Sequence, residues 1–228
     1  MTRAPHRILV AGASGAVGRP LCRLLVADGF QVVGTTRSAA KAQTLATLGV
    51  EPVVVDVFDA GALRHAVAAA RPDVVIHQLT DLPPALDAAL MAAALGRTAR
   101  VRDEGTRNLM AAAVASGVTR VVAQSIAFSV TDALEAFEQQ VLGAPLEGLI
   151  LRYGQFYGPG TGFDIPSATP PTVHVEAAAD AARRAVTRGA GGIYIVAEDA
   201  EGVPTERARR ELAWSAAFRI DSTTDPSG

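Results

Sequence analysis

Apolar positions along the chain follow two alternating patterns. Segments Arg7–Gly12, Gln31–Thr36, Pro52–Asp56, Val74–Leu79, Arg120–Ser125 and Leu149–Tyr153 are short runs rich in Val, Ile and Leu, the pattern of strands buried on both faces. Between them, Gly15–Asp28, Ala39–Leu48, Ala60–Ala70, Ala85–Ser116 and Asp132–Leu142 carry Ala and Leu at helical spacing, with an interruption expected near Gly96. Gly29, Gly49, Gly117 and Gly143 stand where helices should stop. Strands and helices alternating through short connections predict an α/β fold with a doubly wound parallel sheet. The ligand crevice of such a sheet lies beyond the carboxyl ends of its strands.

The periodicity fails over Gly154–Val173, where Tyr157 stands among glycines and Pro159, Pro166, Pro170 and Pro171. This stretch reads as a loop over the crevice, placed to act as a lid. After it, Glu176–Arg188 and Thr205–Ala213 read as helices and Gly192–Ala197 as a strand, so that residues 154–175 and 190–215 form a small C-terminal substrate-binding portion. The polar tail from Asp221 is expected to be disordered. Residues 1–220 are read as a single domain, since 228 residues suffice for one sizeable core.

Composition removes several classes of function. Hydrophobic residues make up 49% of the chain but aromatics only 5%, which suits helices packed closely on a sheet rather than a sandwich built on large rings. The net charge of −2 comes from interspersed acids and bases, leaving no basic footprint for nucleic acid or an anionic membrane surface. No apolar run reaches the roughly 18 residues of a membrane span, and Met1 to Arg7 leads straight into a strand without a signal-peptide core. A cytoplasmic location is the expectation. The lone cysteine, Cys22, falls in the first helix and reads as a small buried apolar residue. His6, His65, His77 and His174 are scattered without paired ligands, so no metal site is expected.

The candidate chemistry begins at Ile8-Leu9-Val10-Ala11-Gly12-Ala13-Ser14-Gly15-Ala16-Val17-Gly18. Gly12 permits a tight turn, Gly15 lets backbone N–H groups approach a pyrophosphate, and Gly18 lets the helix press on the sheet. The motif follows the first strand and opens the first helix, which makes the fold Rossmann-type and places Gly12, Ser14, Gly15, Ala16, Val17 and Gly18 against a dinucleotide. Ser14 is not a hydrolase nucleophile, because that elbow needs Gly two residues away on either side. At the end of the second strand, where an acidic residue would bind the ribose of NAD, the chain has Thr35-Thr36-Arg37. A cation there pairs with a 2′-phosphate, so NADP(H) is preferred and NAD(H) remains an alternative. Arg19 is a second candidate phosphate ligand. Asp56 is placed either to accept from the adenine amino group or to cap the next helix, and Val57 and Leu79 are expected to line the cofactor.

With these motifs in place, the chain resembles the extended short-chain dehydrogenase/reductases, the NAD(P)-dependent epimerases and dehydratases, over about residues 7–215. The resemblance rests on the glycine turn, Val75-Ile76-His77, Gly105-Thr106-Arg107-Asn108-Leu109 with Gly117-Val118, the strand Arg120–Ser125, and Leu151-Arg152-Tyr153-Gly154-Gln155-Phe156-Tyr157-Gly158-Pro159-Gly160. It implies a Tyr general acid/base, a Lys four residues on that lowers the Tyr pKa, and a Ser that hydrogen-bonds the reacting oxygen. Ser125 matches the Ser. Between Ser125 and Arg152, however, there is neither tyrosine nor lysine, and Lys41 is the chain's only lysine. The register puts Val130 and Leu134 near the missing pair. Tyr157 and His77 are then the candidate proton donors, each with a purely structural alternative. Thr80, Asp81 and Arg102, the last standing where the family often has Asn, are candidate contacts to a small-molecule substrate. Family members often dimerise through the helices at Ala85–Ser116 and Asp132–Leu142, so a homodimer is expected.

Two functions follow. One is an NADP(H)-dependent oxidoreductase or epimerase-like enzyme acting on a small carbonyl or hydroxyl compound through a non-standard proton relay. The other is a family member that holds the nucleotide without redox turnover, as a cofactor sensor or a scaffold for cyclisation or isomerisation.

Overall fold

The computed structural model describes residues 6–83, 88–169 and 171–220. Its strands are β1 (Arg7–Ala11), β2 (Gln31–Thr36), β3 (Glu51–Val54), β4 (Val74–His77), β5 (Arg120–Ile126), β6 (Glu147–Tyr153), β7 (Gln155–Tyr157), β8 (Thr172–His174) and β9 (Gly192–Val196). Its helices are α1 (Gly18–Ala27), α2 (Ala39–Thr47), α3 (Ala60–Ala70), α4 (Ala88–Arg100), α5 (Thr106–Ala115), α6 (Asp132–Leu142), α7 (Val175–Ala185) and α8 (Glu206–Leu212). Seven strands form one parallel sheet in the order β3-β2-β1-β4-β5-β6-β9. Winding reverses between β1 and β4, and that switch point is where a doubly wound sheet opens its crevice.

The sheet divides the interior into two cores because successive side chains of a strand point to opposite faces. Ile8 and Val10 of β1 join Leu21 and Leu25 of α1 and the alanines of α7, while Leu9 and Ala11 join Val67 of α3, Leu109 of α5 and Phe137 of α6. In β4, Ile76 belongs to the first core and Val75 to the second. The same alternation decides where His77 and Gln78 go.

Three expectations change. The third strand runs Glu51–Val54 rather than Pro52–Asp56, and it is largely exposed because it is the outermost strand, where Pro52 withholds no needed donor. Helix α4 continues through Gly96, around which a Cβ would meet nothing within 4 Å. The irregularity is instead a π-helical turn at Val101–Gly105, after which α5 begins. It forms where Gly105 packs on Val57, with a Cβ at Gly105 only 3.0 Å from Val57 Cγ1, and where the Thr106 hydroxyl donates to the Val101 carbonyl at 3.3 Å. Finally, the expected loop holds a second, two-stranded parallel sheet of β7 and β8. The start of the fourth predicted helix, at Ala85, Pro170, and the tail from Asp221 lie outside the described residues.

Candidate cofactor and active site

The glycine turn has the shape its sequence requires. Gly12 has φ +87°, and a Cβ there would stand 2.7 Å from the Gln78 carbonyl oxygen. A Cβ on Gly18 would stand 2.2 Å from the Gly12 oxygen and 2.7 Å from that of Ala13, so only glycine lets α1 come this close to β1. Gly15 differs: it is exposed, and a Cβ there would meet only the Gly12 oxygen, at 3.3 Å. The turn is therefore tight underneath and open above, a cradle whose backbone N–H groups at the start of α1 suit a pyrophosphate. Ser14 and Ala16 are half-buried at its rim, and Val17 is 4% exposed and packs into the core. An NAD(P)H fits the residues present.

On the β2 side, Ser14 Oγ lies 3.2 Å from Thr36 Oγ1, which also accepts from the Ser38 N–H at 3.2 Å. Ser14, Arg19, Lys41, Thr44 and Leu45 enclose a hollow of about 100 Å³ beside the turn. Lys41 was not singled out by the sequence pattern as a ligand. Its position in the first turn of α2, beyond the Ser38 N-cap, brings it there. Arg37 is half-exposed and donates to both oxygens of Asp81, at 3.1 and 3.3 Å, while Arg97 reaches the same carboxylate at 3.4 Å. Asp81 thus stands with the arginines beside the turn; its backbone N–H donates to Thr98 Oγ1 at 3.2 Å, and neighbouring Thr80 is half-buried. Asp56 is exposed and accepts from the Phe58 N–H at 3.0 Å in the turn ahead of α3, but the residue that caps α3 is Asp59, whose Oδ1 accepts from the Ala62 N–H at 2.9 Å. Val57 is buried, and its carbonyl accepts from Asn108 at 3.0 Å.

At the ends of β4, β5 and β6, a charged cluster lies under the second core. Ser125 is fully buried and donates to Glu138 Oε1 at 2.6 Å. Arg152 grips the same carboxylate with Nε to Oε1 at 2.8 Å and Nη2 to Oε2 at 2.6 Å. Glu138 is 2% exposed. Its hydrogen bonds hold the Arg152 guanidinium above its ordinary pKa, while burial pulls that of half-buried Arg102 down against the attraction of Glu138. The missing pair therefore has no counterpart at Val130 and Leu134. Val130 is 46% exposed ahead of α6, Leu134 is in the core, and the residue that reaches Ser125 is Glu138, one turn further on. Neither Glu138 nor Arg152 stood out in the sequence as functional. Their signal is an acid on the apolar stripe Leu134-Phe137-Val141 of α6, and an arginine inside a run of buried strand residues.

His77 is held within this cluster. Its Nδ1 accepts from the Leu79 N–H at 3.2 Å, which leaves the proton on Nε2 to bind Thr106 Oγ1 at 2.9 Å. Burial first, and Arg102 second, pull its pKa down to about 4. With both ring nitrogens occupied and 1% exposure, His77 has no free nitrogen to offer a substrate. Tyr157 lies elsewhere. Its hydroxyl donates to Glu198, which also takes the Thr172 hydroxyl at 3.0 Å, and Arg219 donates to it at 3.3 Å. Burial and Glu198 raise the phenol pKa. Ser125 and Tyr157 thus belong to separate networks.

Comparison with known proteins agrees with this geometry. The family described as NAD(P)H-binding matches residues 12–148. A Streptomyces protein named 3-diazoavenalumate denitrifying reductase is 39% identical over 189 residues, covering 69% of this chain and 58% of that protein, so the chain spans under two thirds of that relative's length. Among solved structures, the UDP-glucose 4-epimerase of Thermotoga maritima, with UDP-glucose, superposes with a TM-score of 0.71 at 15% identity, covering 91% of this chain and 93% of the other. The UDP-glucose 4-epimerase of Thermus thermophilus, complexed with NAD, gives 0.69 at 20% identity, covering 92% and 84%. These structures share the fold, and the sequence match decides the membership: the chain belongs to the NAD(P)H-binding family.

Proposed function

We propose that the chain is an NADPH-dependent reductase of a small electrophile that needs no proton from the protein. The observation that carries this reading is the buried Ser125–Glu138–Arg152 network. At the position where the resembled family directs a hydroxyl at the reacting oxygen, Ser125 gives its proton inward to a carboxylate. An oxygen anion developing on a carbonyl would find no donor there, and general acid catalysis worth about 10²–10⁴-fold would be lost. An electrophile that already carries positive charge has no such need.

An arenediazonium ion is such an electrophile, and the Streptomyces relative is named for a diazo compound and its denitrification. When bound, NADPH supplies a hydride. Hydride addition to the diazonium group is balanced by loss of N₂ and formation of a ring C–H bond, the proton released from nitrogen being matched by the one taken up at carbon. Ar–N₂⁺ and NADPH thus become Ar–H, N₂ and NADP⁺ with no net proton taken up. The chain's part is to hold and orient. In this reading half-buried Arg102 is the cation offered to an anionic substituent of the substrate, supported by its having no salt-bridge partner among the described residues and by the neutrality of nearby His77.

NADPH is favoured over NADH because β2 ends on Thr36 and Arg37 rather than on an acid, Arg19 and Lys41 line the hollow beside the turn, and the acid that does stand there, Asp81, is already paired with Arg37. Binding a 2′-phosphate there requires Arg37 to leave Asp81. Leu90 and Leu95 of α4 and Val114 of α5 are exposed apolar side chains on the helices expected to form a homodimer. The test is NADPH oxidation at 340 nm with N₂ release, measured for arenediazonium salts against aldehydes and ketones. Faster turnover of the carbonyl compounds, or tight NADPH binding with no turnover of either class, overturns the reading.

A further inference from the structure

The crevice floor holds one polar group whose chemistry nothing in the fold uses. Gln78 follows β4 directly, its backbone N–H donating to the Ala11 carbonyl at 2.8 Å and its own carbonyl backed against Gly12. The alternation that sends His77 toward α5 and α6 sends Gln78 to the opposite face, under the start of α1. It is 6% exposed, and among the described residues neither Nε2 nor Oε1 of its amide has a hydrogen-bond partner. The Tyr153 hydroxyl lies close enough for the amide to hold the phenol pKa below the level burial alone would set, but the approach falls short of hydrogen-bond geometry and the hydroxyl gives its proton to the Ala178 carbonyl at 3.2 Å. A buried amide with both ends unmet is costly, and native folds keep such groups rarely and for a reason.

We infer that the Gln78 carboxamide positions the nicotinamide half of the cofactor, its donor and acceptor left open for a complementary pair, either the nicotinamide carboxamide or the diol of its ribose. Three observations place it there. Gln78 is locked to the glycine turn through Gly12. It stands at the switch point between β1 and β4, one strand along from the pyrophosphate cradle and on the side away from Arg37. Its amide offers a donor and an acceptor side by side, which suits a neutral ligand group and not a phosphate. The inference rests on the NADPH reading above.

Gln78→Leu separates a ligand-directed amide from a structural one by two readouts that move in opposite directions. Removing an unmet polar pair should raise the melting temperature of the free protein by a few degrees, while NADPH affinity measured by calorimetry falls about tenfold to a hundredfold. Affinity for 2′,5′-ADP, which carries only the adenine half, should stay within about twofold, since none of its groups reaches Gln78. A matching loss with 2′-phospho-ADP-ribose assigns the contact to the ribose, and an unchanged value there assigns it to the carboxamide. If Gln78→Leu lowers the melting temperature and leaves NADPH affinity unchanged, the amide is structural and the inference falls. Gln78→Met, closer in shape, makes the same distinction should the leucine variant fail to fold. A wild-type protein that binds 2′,5′-ADP and NADPH equally well overturns the inference alone, whereas one that binds neither overturns the NADPH reading with it.

Discussion

Removing the Glu138 carboxylate is the sharpest perturbation of the buried cluster. The side chain is 2% exposed and receives three hydrogen bonds, from Ser125 at 2.6 Å and from Arg152 at 2.8 and 2.6 Å. Arg152 is only 19% exposed at its side chain, so Glu138→Ala leaves a guanidinium short of both water and a partner, and Ser125 without an acceptor. Breaking one side of such a pair costs about 3–5 kcal/mol, which for a chain of this size lowers the melting temperature by roughly 6–20 °C. Glu138→Gln keeps the shape and one acceptor but turns an amide donor toward the guanidinium, and should cost about half as much. Replacing both partners, as Glu138→Leu with Arg152→Met, should recover most of the loss, because the penalty lies in the abandoned charge rather than in the pair's net worth. Urea unfolding followed by circular dichroism measures each term. If Glu138→Ala costs less than about 1 kcal/mol, or the double variant is no better than the worse single one, the network is not closed as described.

Further outcomes follow from the site. Arg37→Ala should weaken NADPH binding about 10–100-fold, as expected for one charge-assisted contact to a phosphate, and NADH binding far less; equal losses refute the 2′-phosphate assignment. Asp81→Asn frees Arg37 from its competitor and should tighten NADPH several-fold, and a loosening would show that Asp81 itself holds the cofactor. For His77, the folded pKa of about 4 lies below the unfolded 6.5, so the unfolded chain takes up its proton first as pH falls. The stability contributed is whole above pH 6.5 and lost between 6.5 and about 4, roughly 3 kcal/mol in all. His77→Asn should flatten the pH dependence of urea unfolding in that window, and an unchanged slope would mean that the imidazole titrates normally. Gly18→Ala, whose Cβ would stand 2.2 Å from the Gly12 oxygen, should cost about 1–3 kcal/mol or more and displace α1, abolishing dinucleotide affinity; near-native melting and binding would contradict the close packing of α1 on β1.

Most of the sheet could be read from sequence because its strands are buried on both faces and announce themselves as unbroken apolar runs. The glycine turn was legible for a different reason, since steric exclusion leaves no other residue at Gly12 or Gly18. What escaped depends on tertiary partners. The π-helical turn arises from Gly105 meeting Val57 across the fold, and a one-residue shift in helical hydrogen bonding carries no composition signal. β7 and β8 are three residues each and exist because Gly154 passes within van der Waals contact of the Thr172 backbone. Glu138 was hidden by chain length: with the Tyr and Lys gone and the β5–α6 connection short, register counting from the resembled family stops one turn early. A buried ion pair shows in sequence only as two charges on apolar faces, and nothing in their spacing says that they meet.

The β7–β8 pair also has a consequence for how this protein can change. Glu198 ties the pair to the end of β9 through Tyr157 and Thr172, and His174 caps α7. The connection between Gly158 and Pro171 therefore leaves and re-enters the fold at a fixed doorway, closed near its start by the Gly158–Phe163 bridge. Segments of other length or chemistry exchanged within residues 164–169 should leave the seven-stranded sheet as stable as before, which a library confined to those residues would read as unchanged melting.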